Sequence, residues 1–205
     1  MALDAAGADL AVGCTYKYLN GGPGAPAFAY VAARHQAALD QPIAGWTGHA
    51  QPFAMADEYE PAIGVRRVLS GTPPVVSMAA LDAALDAYDG VAPADVRAKS
   101  TALTELFIAL VADRLGDAFT LASPRRADER GGHVCLAHPD AYPIVQALIA
   151  RGVVGDFREP DLLRFGFAPL YTRFVDVWDA VDRLREVLET GEWRDPRFSV
   201  RAAVT

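Results

Sequence analysis

Residues 13–24 read Gly-Cys-Thr-Tyr-Lys-Tyr-Leu-Asn-Gly-Gly-Pro-Gly. The apolar residues 10–12 come just before them and predict a short buried strand over 9–14, which delivers Lys17 to a tight glycine-rich turn. A second alternating run predicts another strand over 27–33. A lysine that is desolvated at a strand end is neutral more often, and a neutral amine can form a Schiff base with a carbonyl group. The alternative is an ordinary surface lysine beside a loop.

Composition excludes several classes of protein. The 205 residues carry a formal net charge of −7, whereas binding to a nucleic-acid backbone requires a basic surface. No apolar run approaches the roughly 20 residues of a membrane span, and the first ten residues lack the positive charge of a secretory signal. Two cysteines, Cys14 and Cys135, are too few for a disulfide framework. We therefore expect a cytoplasmic protein without nucleic-acid or membrane partners.

A second informative stretch, residues 66–74, reads Arg-Arg-Val-Leu-Ser-Gly-Thr-Pro-Pro. It predicts a helix over 73–89, with Thr72 as the N-cap and Pro73 at the first helical position. A helix N-terminus attracts anions, so Thr72 is either a simple cap or part of an anion site. The helix is expected to bury an apolar stripe made of Val75, Met78, Ala79, Leu81 and Leu85.

The Gly- and Pro-rich residues 41–53 predict a loop that contains Trp46 and His49. On composition alone, Trp46 is typical of a packed aromatic residue and His49 of a solvated loop residue.

The second half of the chain predicts a small α+β domain that begins after a hinge at 90–93. Helices are expected over 93–116, from Asp140 to about 151, and from a Thr172 N-cap to Gly191. Strands are expected over 118–122, 133–137, 152–157 and 162–167. His133 and Cys135 share one face of a strand, but no second ligand pair has matching spacing, so we expect no metal site. The last helix is predicted to bury Phe174, Val177, Trp178, Val181, Leu184 and Leu188.

Arg164 lies in the middle of an apolar strand, in the run Leu-Leu-Arg-Phe-Gly-Phe of residues 162–167. A buried arginine is costly unless it is paired. Its partner could be a protein carboxylate, Asp156 or Glu159. It could also be a substrate carboxylate, which the guanidinium group binds in a bidentate fashion.

The strings Tyr-Lys-Tyr-Leu-Asn-Gly-Gly-Pro-Gly and Arg-x-Leu-Ser-Gly-Thr-Pro-Pro resemble those of kynureninase, a pyridoxal 5'-phosphate (PLP) enzyme of the aspartate-aminotransferase fold. The resemblance implies that Lys17 carries the cofactor and transfers protons, while Tyr16 hydrogen-bonds the phosphate and assists protonation. It implies that Trp46 and Thr72 contact the phosphate across a homodimer interface. It also implies that Arg164, which precedes an Ala-Pro-x-Tyr segment, orients the substrate carboxylate.

The resemblance gives His49 a place in the active-site loop without a defined role, and we interpret Arg158 and Arg173 as structural. It implies an α/β fold with two parts. Residues 1–90 would be the C-terminal part of the PLP-binding large-domain sheet, and residues 91–205 the small α+β C-terminal domain. Only sixteen residues precede Lys17, so the chain is expected to be the C-terminal half of such a protein: a fragment, a truncated gene product or one piece of a split protein.

The activity implied by the resemblance is hydrolysis of L-kynurenine, or 3-hydroxykynurenine, to anthranilate, or 3-hydroxyanthranilate, and L-alanine in tryptophan catabolism. Two alternatives stay open. The chain could be inactive alone, as a remnant or as a subunit that needs a separate N-terminal half. It could also be another PLP enzyme of this fold, such as an aminotransferase or a cysteine desulfurase, because one fold supports many chemistries.

Overall fold

The structure is a computed structural model that describes residues 2–201. The chain divides into two compact units, here called the N-terminal unit and the C-terminal unit, with the boundary between Asp89 and Gly90. Each unit has its own secondary structure and is described separately below.

The N-terminal unit begins with a β-hairpin. Strands β1 (Leu10–Cys14) and β2 (Ala27–Val31) pair antiparallel, with Leu10 opposite Val31 and Cys14 opposite Ala27. Both strands were predicted, but the prediction that β1 is buried is wrong, because Val12 is 84% exposed. Residues 3–7, which precede the hairpin, form a turn that ends at Gly7 with φ +69°.

The described residues of the N-terminal unit also form two α-helices, α1 (Ala33–Gln36) and α2 (Val75–Leu85). Helix α2 starts later than predicted. Its N-cap is Pro74, and no side chain caps it, so the prediction that Thr72 is the N-cap is wrong. A residue that precedes a proline is kept out of the α-helical region, so Pro73 cannot be helical when Pro74 follows it. The stripe predicted to be buried is not covered: α2 has no buried residue, and Val76 is 86% exposed.

The C-terminal unit contains a four-stranded antiparallel sheet. Its strands, in chain order, are β3 (Thr120–Leu121), β4 (His133–Ala137), β5 (Asp156–Arg158) and β6 (Leu162–Gly166). They are arranged in the order β3-β4-β6-β5, so that β4 and β6 are the central strands. Cys135 lies opposite Arg164 in this register, and Asp156 lies opposite Arg164 on its other side.

Three helices cover one face of this sheet: α3 (Pro93–Leu115), α4 (Ala141–Ala150) and α5 (Phe174–Thr190). Helix α3 packs against α5 and β4, and α4 packs against α5 and β6. Side chains alternate between the two faces of a strand, so every second residue of β4 and β6 enters the core. The apolar core contains Leu103, Phe107, Val134, Leu136, Ile144, Leu148, Leu163, Phe165, Val181 and Leu184.

The start of α5 differs from its prediction. The N-cap is Arg173 and not Thr172, and the Asp176 carboxylate accepts a hydrogen bond from the Arg173 backbone N–H at 2.7 Å. Phe174 and Trp178 were predicted to be buried, but they are 48% and 49% exposed. The guanidinium of Arg114 lies 3.4 Å from the ring centroid of Trp178, and such cation–π stacking lets a large ring remain half-exposed.

Replacing Phe107 with alanine should destabilise the C-terminal unit strongly. Phe107 is 1% exposed, and its ring centroid lies 4.9 Å from that of Phe165 and 5.3 Å from that of Phe167. We expect Phe107→Ala to lower the free energy of unfolding by about 3–5 kcal/mol, measured by urea denaturation.

The matched control is Phe174→Ala, since Phe174 is half-exposed in the same unit. Its expected loss is within about 0.5 kcal/mol. Equal losses for the two variants would contradict the assignment of Phe107 to the core.

Candidate functional site

Lys17 lies in a turn that closes the β1–β2 hairpin and is held by backbone hydrogen bonds. The N–H of Asn20 donates to the carbonyl of Lys17 at 3.0 Å, and the N–H of Gly22 donates to the carbonyl of Tyr16 at 3.1 Å. Asn20, Gly22 and Gly24 all have positive φ, a conformation that glycine adopts readily. The buried Thr15 hydroxyl donates to the Pro26 carbonyl across the base of the turn. These hydrogen bonds thus fix the backbone conformation around Lys17.

The side chains of Lys17 and Tyr16 lie together. The Lys17 amine is 4.9 Å from the centroid of the Tyr16 ring, a cation–π contact. Lys17 is exposed, and Tyr16 is 38% exposed. The residues that the structure describes therefore do not desolvate Lys17, contrary to the expectation for a strand-end lysine.

Side-chain hydrogen bonds hold the hairpin in place on both sides of this turn. Asp9, just before β1, accepts hydrogen bonds from His35 at 2.7 Å and from Arg34, and these two partners hold the pKa of Asp9 below its usual value. The Tyr88 hydroxyl donates to the Tyr18 carbonyl, and burial raises the pKa of Tyr88. The Asp9 carboxylate thus links the start of β1 to α1.

A second cluster joins the loop around Trp46 to residues 69–71. Residues Trp46–Gly48 form a single 3-10 turn. The Thr47 hydroxyl donates to the carbonyls of Ser70 and Gly71 at 2.8 and 2.9 Å. The Tyr59 hydroxyl donates to the Gly48 carbonyl at 3.0 Å. These bonds bring the Trp46 loop next to the segment that leads into Thr72.

Trp46 and Thr72 are both exposed, and Trp46 contacts only Phe53 among aromatic rings of the described residues, at 5.5 Å between centroids. Within residues 2–201, no hydrogen bond or ring contact joins either residue to Lys17 or Tyr16. His49 is held in the loop, where its Nδ1 accepts from the Gln51 N–H at 2.8 Å. The structure thus forms two separate local clusters in the N-terminal unit.

Arg164 lies in the C-terminal unit, on the face of the sheet that the helices leave open. Its neighbours in β6, Leu163 and Phe165, are buried, whereas the Arg164 side chain is 31% exposed. Its Nη2 donates to the carboxylate of Asp156, which was one of the two partners considered from sequence. Arg158 binds the same carboxylate, with its Nη2 at 2.9 Å. Sequence reasoning treated Arg158 as separate, although the spacing Asp-x-Arg on one strand places both on the same face.

Residues 2–201 were also searched for a metal site and for a membrane-spanning helix. Among residues 2–201, no group of three His, Cys, Asp or Glu side chains is arranged to hold a metal ion, and this includes the strand of His133 and Cys135. Within the same residues, every helix is either too short or too polar to cross a membrane.

Comparison with known proteins finds similarity to kynureninases. The profile described as the kynureninase C-terminal domain matches residues 96–184. Kynureninase of Burkholderia mallei strain SAVP1 is 55% identical over 204 residues, and that of Pseudomonas fluorescens is 50% identical over 204 residues. This chain is a homologue of the C-terminal half of kynureninase. The matches cover 99% of the chain, but the chain spans only 49% of the length of these two relatives.

Solved structures with the same fold confirm the fold prediction. Cysteine desulfurase from Thermococcus onnurineus NA1 superposes with a TM-score of 0.74 at 15% identity, over 92% of this chain and 49% of that one. The cystine C-S lyase C-DES, in a variant with glycine covalently linked to its PLP cofactor, superposes with a TM-score of 0.68 at 16% identity, over 90% of this chain and 47% of that one. At such identities the likeness shows the fold and leaves the chemistry open.

The residues around the hairpin turn fit the functional groups of PLP. The cofactor has an aldehyde, which an amine can attack, and a phosphate, which hydroxyl and N–H donors bind. The turn offers the exposed Lys17 amine beside the Tyr16 hydroxyl, and within the described residues no carboxylate pairs with that amine. The donor set of this turn is therefore compatible with the cofactor.

Replacing Gly48 with alanine should disturb the Trp46 loop. The added Cβ would lie 2.3 Å from the Leu69 carbonyl oxygen and 3.1 Å from the Tyr59 hydroxyl, so the backbone must shift. We expect the Trp46 signal to move in the fluorine NMR spectrum of the chain labelled with fluorotryptophan, which has three signals to assign.

Gly71→Ala is the matched control, because a Cβ at Gly71 meets no heavy atom within 4 Å. It should leave the Trp46 signal in place. An unmoved Trp46 signal in Gly48→Ala would show that the loop is not held against residues 69–71.

Proposed function

We propose that the chain supplies the lysine and the arginine of a kynureninase, a PLP-dependent hydrolase that converts L-kynurenine and water to anthranilate and L-alanine. The observation that carries the proposal is the 55% identity to kynureninase over 204 residues, combined with a turn that presents Lys17 beside Tyr16. The bond between the ketone carbon and the neighbouring CH2 carbon of the substrate breaks. The oxygen of water enters the new carboxyl group of anthranilate, and a proton enters the methyl group of alanine.

In this proposal, each residue has a separate task. PLP, when bound, supplies an electron sink for the bond that breaks. Lys17 holds the cofactor through its amine and moves protons at the substrate carbons, while the Tyr16 hydroxyl donates to the cofactor phosphate. Arg164 binds the substrate carboxylate and thereby sets which bond is aligned for cleavage. Trp46 and Thr72 bind the phosphate from the second subunit of a homodimer.

Two observations support the dimer contribution of Trp46 and Thr72. Both are exposed, and the hydrogen bonds between Thr47 and residues 70–71 hold their segments together. Neither contacts Lys17 or Tyr16 within the described residues, which suits a role toward a second copy of the chain. The proposal places this homodimer in the cytoplasm, with L-kynurenine as its small-molecule partner.

We further propose that the N-terminal unit corresponds to the C-terminal part of the PLP-binding large domain and the C-terminal unit to the small domain. The profile match at residues 96–184 lies wholly in the C-terminal unit, which supports the second assignment.

A second candidate is a subunit that is active only with the other half of a kynureninase. The chain spans 49% of the length of its relatives, and the N-terminal unit leaves many large apolar side chains exposed. Apolar surface of this extent marks a site of contact with other protein surface. The exposed residues include Leu10, Val12, Phe28, Ile43, Phe53, Ile63, Val75 and Val76.

The chain should form a covalent PLP adduct at Lys17 after reduction with borohydride. The Lys17 amine can attack the aldehyde of PLP, and the neighbouring Tyr16 hydroxyl can donate a hydrogen bond to its phosphate. The chain has two lysines, Lys17 and Lys99, so peptide mass spectrometry can assign the label without ambiguity. We expect Lys17→Ala to abolish most of the label.

Lys99→Ala is the matched control and should retain the label, since Lys99 lies half-buried on α3. Equal labelling of Lys17, Lys99 and the N-terminal amine would contradict a specific cofactor site at the turn.

Turnover of L-kynurenine tests the activity itself, followed by the fluorescence of anthranilate. We expect little or no turnover by the 205-residue chain with PLP alone, because the exposed apolar surface of the N-terminal unit is not covered by its own residues. Turnover should appear when the N-terminal half of the B. mallei kynureninase is refolded with the chain, and Lys17→Ala should remove it.

Robust turnover by the chain alone would refute the second candidate and leave the first. No turnover under either condition, with Lys17 specifically labelled, would limit the chain to cofactor binding.

A further inference from the structure

Three charged side chains form a cluster on the open face of the C-terminal sheet. Asp156 lies directly opposite Arg164 in the β5–β6 register, and Arg158 follows two residues later on β5, so all three point to the same side. The Oδ2 atom of Asp156 accepts from Arg164 Nη2 and from both Nε and Nη2 of Arg158, the last two at 3.2 and 2.9 Å. The cluster therefore joins two strands through one carboxylate oxygen.

The charges of this cluster do not cancel. Two guanidinium groups share one carboxylate, so the cluster carries one net positive charge. Its side chains are 31% to 56% exposed, with Arg164 the least exposed of the three. A cluster built only to pair charges across two strands needs one arginine, whereas this one has two.

Asp156 holds the Arg164 guanidinium through one of its nitrogen atoms and leaves its other N–H donors available. Within residues 2–201, its guanidinium makes one hydrogen bond, from Nη2 to Asp156, so Nε and Nη1 have no protein acceptor there. An arginine side chain loses considerable rotamer entropy when it binds a ligand. An interaction that fixes the group beforehand lowers that cost and keeps the remaining donors aimed in one direction.

We propose that Asp156 is a positioning residue that orients Arg164 for the substrate carboxylate, and that Arg158 supplies the charge that offsets Asp156. This inference rests on the proposed function, in which Arg164 binds that carboxylate. Asp156 acts through Arg164 and does not touch the substrate. Arg158 keeps the pair of Asp156 and Arg164 attractive to an anion, since without Arg158 the pair would be neutral.

The sign of one mutational effect separates positioning from simple charge pairing. If Asp156 only competed with the substrate for Arg164, its removal would strengthen carboxylate binding, because a negative charge is lost. If Asp156 orients Arg164, its removal weakens binding despite the more positive charge. Asp156→Asn is isosteric, so it removes the charge while keeping the size of the side chain.

The experiment is a titration of the 205-residue chain, labelled with nitrogen-15 in arginine, with L-kynurenine. The Nε–Hε signal of Arg164, assigned with Arg164→Lys, reports binding without any turnover. The control ligand is kynuramine, the analogue of kynurenine that lacks the carboxylate. We expect L-kynurenine, and not kynuramine, to shift the Arg164 signal to saturation.

We expect Asp156→Asn and Arg158→Gln each to raise the dissociation constant for L-kynurenine by about tenfold, the effect of one hydrogen bond to a charged group. Arg158→Lys keeps the positive charge and should recover most of the affinity lost in Arg158→Gln. The matched control Asp128→Asn removes an exposed carboxylate bound by Arg126 elsewhere in the unit and should leave the dissociation constant unchanged.

Each outcome decides between the proposals. Unchanged or stronger binding in Asp156→Asn, with the Arg164 signal still responsive, would overturn the positioning role and leave the role of Arg164 intact. Weaker binding in Asp156→Asn but not in Arg158→Gln would overturn the role of Arg158 alone. No response of the Arg164 signal to L-kynurenine would overturn both this inference and the proposed role of Arg164. If Asp156→Asn does not fold, as judged by its backbone NMR spectrum, then Asp156→Glu provides the test of positioning, since it keeps the charge but moves the carboxylate. Binding as tight as that of the unaltered chain in Asp156→Glu would overturn the positioning role.

Discussion

The alternation of side chains along β4 and β6 is the constraint on which the C-terminal unit depends. Val134 and Leu136 on β4, and Leu163 and Phe165 on β6, enter a core that α3, α4 and α5 cover. Because the side-chain period of a strand is two, the residue between Leu163 and Phe165 must lie on the other face. A shift of one residue in register would bury Arg164 and expose its neighbours. Burial of these four apolar residues therefore places the charged cluster where an anion can reach it.

The N-terminal unit is organised differently. Its turn around Lys17 is held by backbone hydrogen bonds and by residues with positive φ, rather than by apolar packing beneath it. Its apolar side chains lie largely at the surface, as Val12 on β1 and Val76 on α2 show. Local hydrogen bonds are sufficient to define the shape of a tight turn, but they contribute little net stability to an element whose apolar faces are uncovered.

Sequence reasoning succeeded where one local rule dominates. Helix α3 begins at Pro93 and ends before Gly116 as predicted, because proline at the first position and glycine after the last one are strong signals. It failed where two rules compete, as at Thr72, where the second proline excludes the capping position that the threonine suggests. It also failed for burial, since a periodic pattern shows which face of α2 is apolar but not what covers that face. The motif around Lys17 was recognised from sequence, whereas the sharing of Asp156 between Arg158 and Arg164 depends on strand register and required the structure.

The fold of this chain is shared more widely than its sequence. The cysteine desulfurase structure superposes over 92% of it at 15% identity, so the backbone arrangement tolerates replacement of most side chains. The kynureninases are 55% and 50% identical to it over 204 residues. An open-face cluster such as Asp156, Arg158 and Arg164 contributes little to folding, because exposed ion pairs are weak. In the proposed function, the one net positive charge of this cluster and the free donors of Arg164 would serve to bind the substrate carboxylate.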